Sequence, residues 1–158
     1  PAPGEAPPRN TTHLSVVDAD GNAVALTTTV NGLFGACLVV PGTGILLNDE
    51  MDDFDAAPGV PNLFGLVGAG ANAVAPGKIP LSSMSPTLVF DPEGRLLLAV
   101  GSPGGATIPS TVAQVVLNVV DHGMRLDDAL AAPKIPLSSP APISPSSTSR
   151  RCRRPPST

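Results

Sequence analysis

The sequence predicts an α+β fold in a chain of 158 residues, about the size of one domain. Two segments rich in β-branched residues, each interrupted by a turn, precede two segments with helical periodicity, and this order is typical of helices that cover an antiparallel sheet. The 16 glycines and 20 prolines indicate many turns, and with no Trp or Tyr the core must be aliphatic. No apolar run reaches the roughly 18 residues that a membrane span requires.

Composition divides the chain into three segments. Residues 1–10 are rich in proline and predict an extended lead-in, whereas residues 11–132 carry all the regular patterns and form the predicted core. Residues 133–158 are rich in Pro, Ser and Arg and predict a disordered tail. The hexapeptide Lys-Ile-Pro-Leu-Ser-Ser at 78–83 recurs at 134–139 in a different context, so it is not a structural repeat.

Two β-hairpins are predicted, each from two runs of β-branched and aliphatic residues around a turn rich in Asp and Gly. The first hairpin has strands at 11–17 and 23–30, and the first of these begins near Thr11. The second has strands at 86–90 and 95–100. Both hairpins would place their two strands side by side.

Two helices follow the second hairpin. The longer one is predicted from valines spaced i, i+3, i+4 and i+7, namely Val112, Val115, Val116 and Val119. Thr111 and Gln114 suggest a capping box at its start, and Gly123 suggests its end. A shorter helix is expected at 126–132, ended by Pro133. Residues 31–85 have many Gly and Asn but little periodicity, which indicates long functional loops.

Charge and motif content exclude several function classes. The net charge is −4 and the only basic cluster is in the tail, so nucleic acid is not an expected partner. Neither His13 nor His122 lies in a serine-hydrolase or zinc-ligand pattern, and no metal site or cofactor is predicted. We expect His13 to be a packed strand residue. A hydroxyl nucleophile with an unusual base remains, and an N-terminal threonine supplies one in its own α-amino group.

Four motifs, in this order, resemble those of the γ-glutamyltransferase (glutathione hydrolase) small subunit. They are TTHLSVV at 11–17, GILLNDEMDDF at 44–54, PLSSMSPT at 80–87 and GSPGG at 101–105. The resemblance extends over about residues 11–133. It implies an N-terminal nucleophile hydrolase, with this chain as part of an αββα sandwich that is incomplete without a large subunit.

The resemblance implies that Thr11 is the nucleophile, freed by autocatalytic cleavage between Asn10 and Thr11. Residues 1–10 would then be the end of the large-subunit segment. Thr29 matches the threonine that supports the nucleophile, and antiparallel pairing of the first hairpin could bring it across from Thr11. On the residues alone, both threonines are ordinary strand residues.

The resemblance also assigns the substrate-binding residues. Asn31, Glu50 and Asp53 match the residues that hold the substrate's α-ammonium group. Five carboxylates crowd residues 49–55 and repel one another unless a cation is bound. On charge pattern alone, however, the segment is interpreted as a solvated acidic loop, and a calcium loop is disfavoured because the Gly and distal Glu of an EF-hand are missing.

Two further pairs complete the expected site. Ser82 and Ser83 match the donors to the substrate's α-carboxylate, although they could simply be loop serines. Gly104 and Gly105 precede the longer helix, where backbone N–H groups can converge on an anion. The family uses this pair as its oxyanion hole; the alternative is a tight turn.

The expected function is transfer of a γ-glutamyl group from glutathione or another γ-glutamyl amide to water, an amino acid or a peptide. The partner is a large subunit from the same precursor, and family members are typically periplasmic, extracellular or at the cell surface. One rival is another N-terminal nucleophile amidase or acylase. A second is a non-catalytic fragment, because the Pro/Ser/Arg tail departs from the family pattern.

Overall fold

A computed structural model describes residues 10–62 and 64–135, which fall into two compact units. One unit comprises residues 10–29 and 82–135 and holds all the strands and α-helices. The other comprises the described residues between 30 and 81 and consists of loops and a short 3₁₀ turn. The predictions for residues 1–9 and 136–158 lie outside the described residues.

The first unit contains two antiparallel hairpins. Strands β1 (Thr12–Val17) and β2 (Ala23–Thr28) form the first, and β3 (Thr87–Phe90) and β4 (Leu96–Val100) the second. Both predicted hairpins are confirmed, and the turns form where Asp and Gly are concentrated. The strands are shorter than predicted at several ends; β2 stops at Thr28, and Asn31, three residues later, adopts a left-handed backbone with φ of 71°.

The register of the first hairpin brings the predicted nucleophile and its partner to the same end. Thr12 pairs with Thr28 and His13 with Thr27. Thr11 and Thr29 are the next residues outward, so they face each other where the two strands part. The antiparallel pairing expected from the sequence therefore holds.

Helices α1 (Ile108–Val120) and α2 (Leu126–Ala131) follow the second hairpin. The predicted capping box is wrong, because α1 begins before Thr111 and carries Thr111 and Gln114 within it. Gln114 instead makes two hydrogen bonds with the backbone of Ile135, of 2.8 and 2.9 Å. Gly123 follows α1 with φ of 63°, a conformation that glycine adopts without strain, so the predicted end is confirmed.

The core of this unit lies between β4 and one face of the helices. Its buried members are Leu98, Val100, Ile108, Val112, Val115 and Ala129. Val116 and Val119 are partly buried against this cluster, so the predicted valine stripe does face the core. None of the helices among the described residues is long and apolar enough to cross a membrane.

The second unit positions a short acidic segment. A 3₁₀ turn at Glu50–Asp53 is followed by Phe54, and Asp53, Phe54 and Asp55 are each no more than 6% exposed. The interpretation of this segment as a solvated acidic loop is therefore wrong at Asp53 and Asp55. Backbone bonds from Asp49 to Val30 and from Asp55 to Asn72 fix its two ends.

The two copies of the repeated hexapeptide begin with the same local contact. Lys78 Nζ donates to the carbonyls of Ala71 and Ala73. Lys134 Nζ donates to Ala129, Leu130 and Ala132 at the end of α2. Each lysine thus satisfies carbonyl groups that have no other donor in a helix or strand.

Candidate active site

A pair of threonine hydroxyls lies at the open end of the first hairpin. Thr11 Oγ1 donates to Thr29 Oγ1 across 3.3 Å, and both residues are partly buried. The strand pairing that ends at Thr12 and Thr28 holds the two backbones in place. A hydroxyl held in this way has a defined direction for its lone pairs, which a nucleophile needs.

Two consecutive glycines lie just before α1. Gly104 has φ of 141° and Gly105 φ of 56°, and neither value suits an L-residue with a side chain. A Cβ on Gly104 would lie 2.8 Å from Thr107 Oγ1. Within the described part of the chain, neither glycine N–H donates to a backbone carbonyl. This turn therefore presents two amides at the start of the helical segment, as an anion site requires.

Ser82 and Ser83 lie on the loop that leads into β3. Ser82 Oγ accepts from the Met84 N–H at 3.1 Å, so its own proton is available to an external acceptor. Ser85 Oγ donates to the Ser83 carbonyl at 3.1 Å and stiffens the same loop. Ser82 is exposed and Ser83 is partly buried, and a serine hydroxyl can donate one hydrogen bond to a carboxylate.

The second unit brings together the three residues expected to hold an ammonium group. Asn31 Nδ2 donates to Asp53 Oδ1 at 2.7 Å, and the carboxyl groups of Glu50 and Asp53 share a hydrogen bond. Asp53 is 6% exposed and Glu50 is half-buried. Two acidic side chains and one amide side chain thus lie close together.

The Glu50–Asp53 pair titrates abnormally. Burial, the hydrogen bond to Asp53 and the nearby charges of Asp53 and Asp49 raise the pKa of Glu50 to about 7. Burial also raises the pKa of Asp53, while the bonds from Asn31 and Glu50 oppose this rise. Glu50 is therefore only partly ionised near neutral pH.

Several neighbours that hold this cluster were not identified from the sequence. The amides of Asn62 and Asn72 donate to the Asp53 carbonyl at 3.1 and 2.8 Å. Asp49 Oδ1 accepts from the Gly32 N–H at 2.7 Å, and a Cβ on Gly32 would overlap its carboxylate. The asparagine content of residues 31–85 was the only sequence signal. Within residues 10–62 and 64–135, no group of three His, Cys, Asp or Glu side chains is arranged to hold a metal.

The predicted site residues therefore form four local groups. Two of them are joined by side-chain hydrogen bonds, Thr11 with Thr29 and Asn31 with Asp53 and Glu50. The glycine amides donate to no backbone carbonyl of the residues that the structure describes, and Ser82 Oγ accepts from Met84.

Known proteins resemble this chain over most of its length. The gamma-glutamyltranspeptidase family model matches residues 2–143. The glutathione hydrolase proenzyme of Escherichia coli (strain K12) is 55% identical over 135 residues, which are 84% of this chain and 23% of that protein. The Acylase ACY 1 proenzyme of Pseudomonas sp. (strain SE83) is 42% identical over 126 residues, 80% of this chain and 21% of that protein.

A solved structure shows the same fold. Gamma-glutamyltranspeptidase from Pseudomonas nitroreducens, complexed with L-DON, superimposes with a TM-score of 0.72 at 54% identity. The match covers 77% of this chain and 62% of that one. The chain spans less than a quarter of the length of the curated relatives that it matches, at 23% and 21%.

Proposed function

Because the chain belongs to the γ-glutamyltranspeptidase family, we propose that it carries the catalytic groups for γ-glutamyl transfer, with Thr11 as the nucleophile. The observation that carries this proposal is the hydrogen bond between Thr11 and Thr29. The donors are glutathione and other γ-glutamyl amides, and the acceptors are water, amino acids or peptides. The reaction passes through an ester on Thr11.

Cleavage before Thr11 precedes the reaction. The chain is continuous through Asn10 and Thr11, so the α-amino group is part of a peptide bond. Attack of Thr11 Oγ1 on the Asn10 carbonyl carbon, with breakage of the C–N bond, gives an ester and a free amine. Water then hydrolyses the ester, which leaves a carboxylate on Asn10 and a new N-terminus at Thr11. That amine has an ordinary pKa near about 8, suited to a general base at neutral pH.

In the transfer reaction, the Thr11 amine takes the hydroxyl proton while Oγ1 attacks the γ-carbonyl carbon. The hydrogen bond to Thr29 orients the Thr11 hydroxyl. The N–H groups of Gly104 and Gly105 stabilise the oxyanion, and each such donor is worth roughly 3 kcal/mol in other enzymes. The amine then protonates the leaving group, and water or an acceptor amine reverses the sequence to release the glutamyl group.

Recognition of the glutamyl end uses opposite charges. Glu50 and Asp53 accept hydrogen bonds from the α-ammonium, with Asn31 as a third contact. Ser82 and Ser83 donate to the α-carboxylate. Burial first, and then the nearby carboxylates, raise the pKa of Glu50, and this supports the assignment because a bound ammonium would offset the repulsion between the carboxylates. Charge-assisted hydrogen bonds of this kind select a zwitterion over an uncharged chain.

A large subunit from the same precursor is the proposed partner, and the complete protein is an αββα sandwich. The apolar face of the first hairpin supports this proposal. Leu14, Val16, Val24 and Leu26 lie on that face in the pairs Leu14 with Leu26 and Val16 with Val24, and each is 41–54% exposed. A second sheet would cover this face. Export to the periplasm, cell surface or medium stays a prediction.

The test uses the two-subunit protein formed by this chain with a family large subunit. Release of a chromogenic amine from a γ-glutamyl anilide is measured for the unsubstituted protein, Thr11→Ala and Thr12→Ala. Thr12 is the matched control, since it is the adjacent residue of the same type. We expect Thr11→Ala to lose cleavage and turnover and Thr12→Ala to keep both. Full activity of Thr11→Ala would overturn the proposal.

A second substrate distinguishes γ-glutamyl transfer from the alternative acylase activity. The glutaryl anilide has the same amide and chain length but no α-amino group. If Glu50 and Asp53 bind the ammonium, kcat/KM should be at least about 100-fold lower on the glutaryl compound, because a buried charged contact is lost. Equal rates on the two anilides would favour the acylase interpretation.

A further inference from the structure

His13 forms the centre of a hydrogen-bond chain that the proposed mechanism does not use. Its Nδ1 lies 2.8 Å from Thr27 Oγ1, across the strand pair in which the two residues are opposite. Its Nε2 lies 3.1 Å from Ser15 Oγ. Thr27 is only 8% exposed, so its contact with His13 is partly buried, whereas the contact of His13 with Ser15 is exposed.

The hydrogen bond between Ser15 and Ala99 fixes the direction of the other two hydrogen bonds. Ser15 Oγ donates its single proton to the carbonyl of Ala99 at 3.0 Å. It must therefore accept from His13, so Nε2 carries the ring proton. In the neutral ring Nδ1 is then an acceptor, and Thr27 donates to it. The chain runs in one direction from Thr27 through His13 and Ser15 to Ala99.

This chain of contacts joins the two hairpins. Thr27, His13 and Ser15 belong to the first, and Ala99 to strand β4 of the second. Gly101, just after β4, lies against the His13 ring so closely that a Cβ there would overlap it. The imidazole thus occupies space that the glycine leaves open, and it fixes the end of β4 by shape as well as by hydrogen bonding.

The residues of this hydrogen-bond chain lie close in sequence to the proposed catalytic groups. His13 and Thr27 are each two residues from Thr11 and Thr29, and Gly101 is three residues before Gly104. We propose that His13 is a positioning residue, which holds the hairpin that carries the Thr11 hydroxyl in register with the strand that leads to the Gly104–Gly105 amides. This inference rests on the proposed function, since it assigns those groups their roles.

The alignment of the Thr11 hydroxyl with the Gly104–Gly105 amides should affect the reaction rate more than substrate binding. Displacement of a nucleophile by about 1 Å relative to its oxyanion donors can cost up to 100-fold in rate. The ammonium-binding residues Asn31, Glu50 and Asp53 have their own supports in the other unit. Loss of the His13 chain should therefore lower kcat and leave KM nearly unchanged.

The kinetic test compares Thr27→Val, Thr27→Ser and Thr28→Val in the two-subunit protein. Thr27→Val removes the donor to His13 at equal size, Thr27→Ser keeps it, and Thr28→Val makes the same change at an exposed neighbour. Rates are expressed per mole of cleaved Thr11, counted by mass spectrometry, so that loss of folded protein does not count as loss of rate. We expect kcat to fall about tenfold in Thr27→Val, with KM within about twofold.

Thr27→Ser should recover most of the rate, and Thr28→Val should match the unsubstituted protein. Equal kcat for Thr27→Val and Thr28→Val would overturn the inference. An inactive unsubstituted protein would instead contradict the proposed function, so the two failures are distinct.

A second measurement does not depend on activity or on any variant of the network. Nitrogen-15 NMR of labelled histidine reports which ring nitrogen carries the proton in the unsubstituted protein, at a pH of about 8 where imidazole is neutral. His13 should show one fixed tautomer with the proton on Nε2, whereas exposed His122 should show the average of two tautomers. A proton on Nδ1, or an averaged signal for His13, would overturn the proposed chain.

Discussion

The side-chain amide of Asn31 donates to Asp53 Oδ1 at 2.7 Å from a backbone with φ of 71°. Asparagine is one of the few residues other than glycine that tolerates this left-handed conformation. Asn31 therefore turns the chain after β2 and supports the carboxylate in the same conformation.

Asn31→Gly and Asn31→Ala separate the two roles of Asn31. Both remove the amide that opposes the rise in the pKa of Asp53. We expect both to raise KM for the γ-glutamyl anilide about tenfold, the effect of one hydrogen bond to a charged group. Asn31→Ala should in addition lower the free energy of unfolding by about 1 kcal/mol relative to Asn31→Gly, because alanine is strained at positive φ. Urea titration checks the second effect, and equal stability would contradict it.

Binding of a glutamyl ammonium should depend on pH through Glu50. Its pKa is raised to about 7, so the ionised fraction that attracts an ammonium increases as the pH rises through that value. We expect L-glutamate to bind more tightly at about pH 8 than at about pH 6. The measurement is calorimetry on Thr11→Ala, in which the Thr11 amine does not titrate. Glu50→Gln should bind more weakly and lose this dependence; an unchanged pH profile would contradict the assignment.

Glu50 should also make folding stability depend on pH. Its pKa in the folded protein lies above the ordinary value of 4.5, so the folded state binds more protons between those two values. The contribution of Glu50 to stability is therefore present below about pH 4.5 and is lost as the pH rises to about 7. Comparison of the urea midpoints of the unsubstituted protein and Glu50→Gln across this range isolates the effect. A difference that does not change with pH would contradict it.

Gly104→Ala should abolish most activity. The new Cβ would meet Thr107 Oγ1 and the residue would be forced away from φ of 141°, which displaces its N–H from the oxyanion position. We expect kcat to fall by about 100-fold or more. Gly94→Ala is the control, since Gly94 also has a positive φ of 81° but no atom within 4 Å of the added Cβ. It should lower stability and leave kcat unchanged; equal losses of kcat in both variants would contradict the role of Gly104.

The core assignment predicts a contrast between two isoleucines. Ile108 is 1% exposed and Ile79 is 88% exposed. Ile108→Ala should lower the free energy of unfolding by about 2–5 kcal/mol, whereas Ile79→Ala should change it by less than about 0.5 kcal/mol. The urea midpoint of the two-subunit protein reports both. Similar midpoints would contradict the packing of β4 against α1.

The sequence predicted the hairpins and helices because their signals are local: turns rich in Asp and Gly, and valines at helical spacing. It also placed Thr29 opposite Thr11, since antiparallel pairing follows from the turn position. The capping box predicted from Thr111 and Gln114 was wrong because such a pattern is short and occurs by chance. Gln114 instead contacts Ile135, 21 residues away. The burial of Asp53 and the supports from Asn62 and Asn72 depend on loop packing, which has no periodic signal.

The motifs of the family contributed the roles of the site residues, which spacing alone left open. Neither the family motifs nor the residue spacing predicted the contacts of His13. Its contacts reach Thr27 on the neighbouring strand and, through Ser15, Ala99 on another hairpin. Only the folded chain brings these residues together.

Lys78 and Lys134 anchor the first residues of the two copies of the repeated hexapeptide. Each binds carbonyl groups just before it in the chain, although one belongs to a loop and the other ends a helix. Both following isoleucines remain in water, at 88% and 71% exposure. Because each lysine binds carbonyl groups of its own neighbourhood, the same first two residues are accommodated in two unlike surroundings without either isoleucine entering a core.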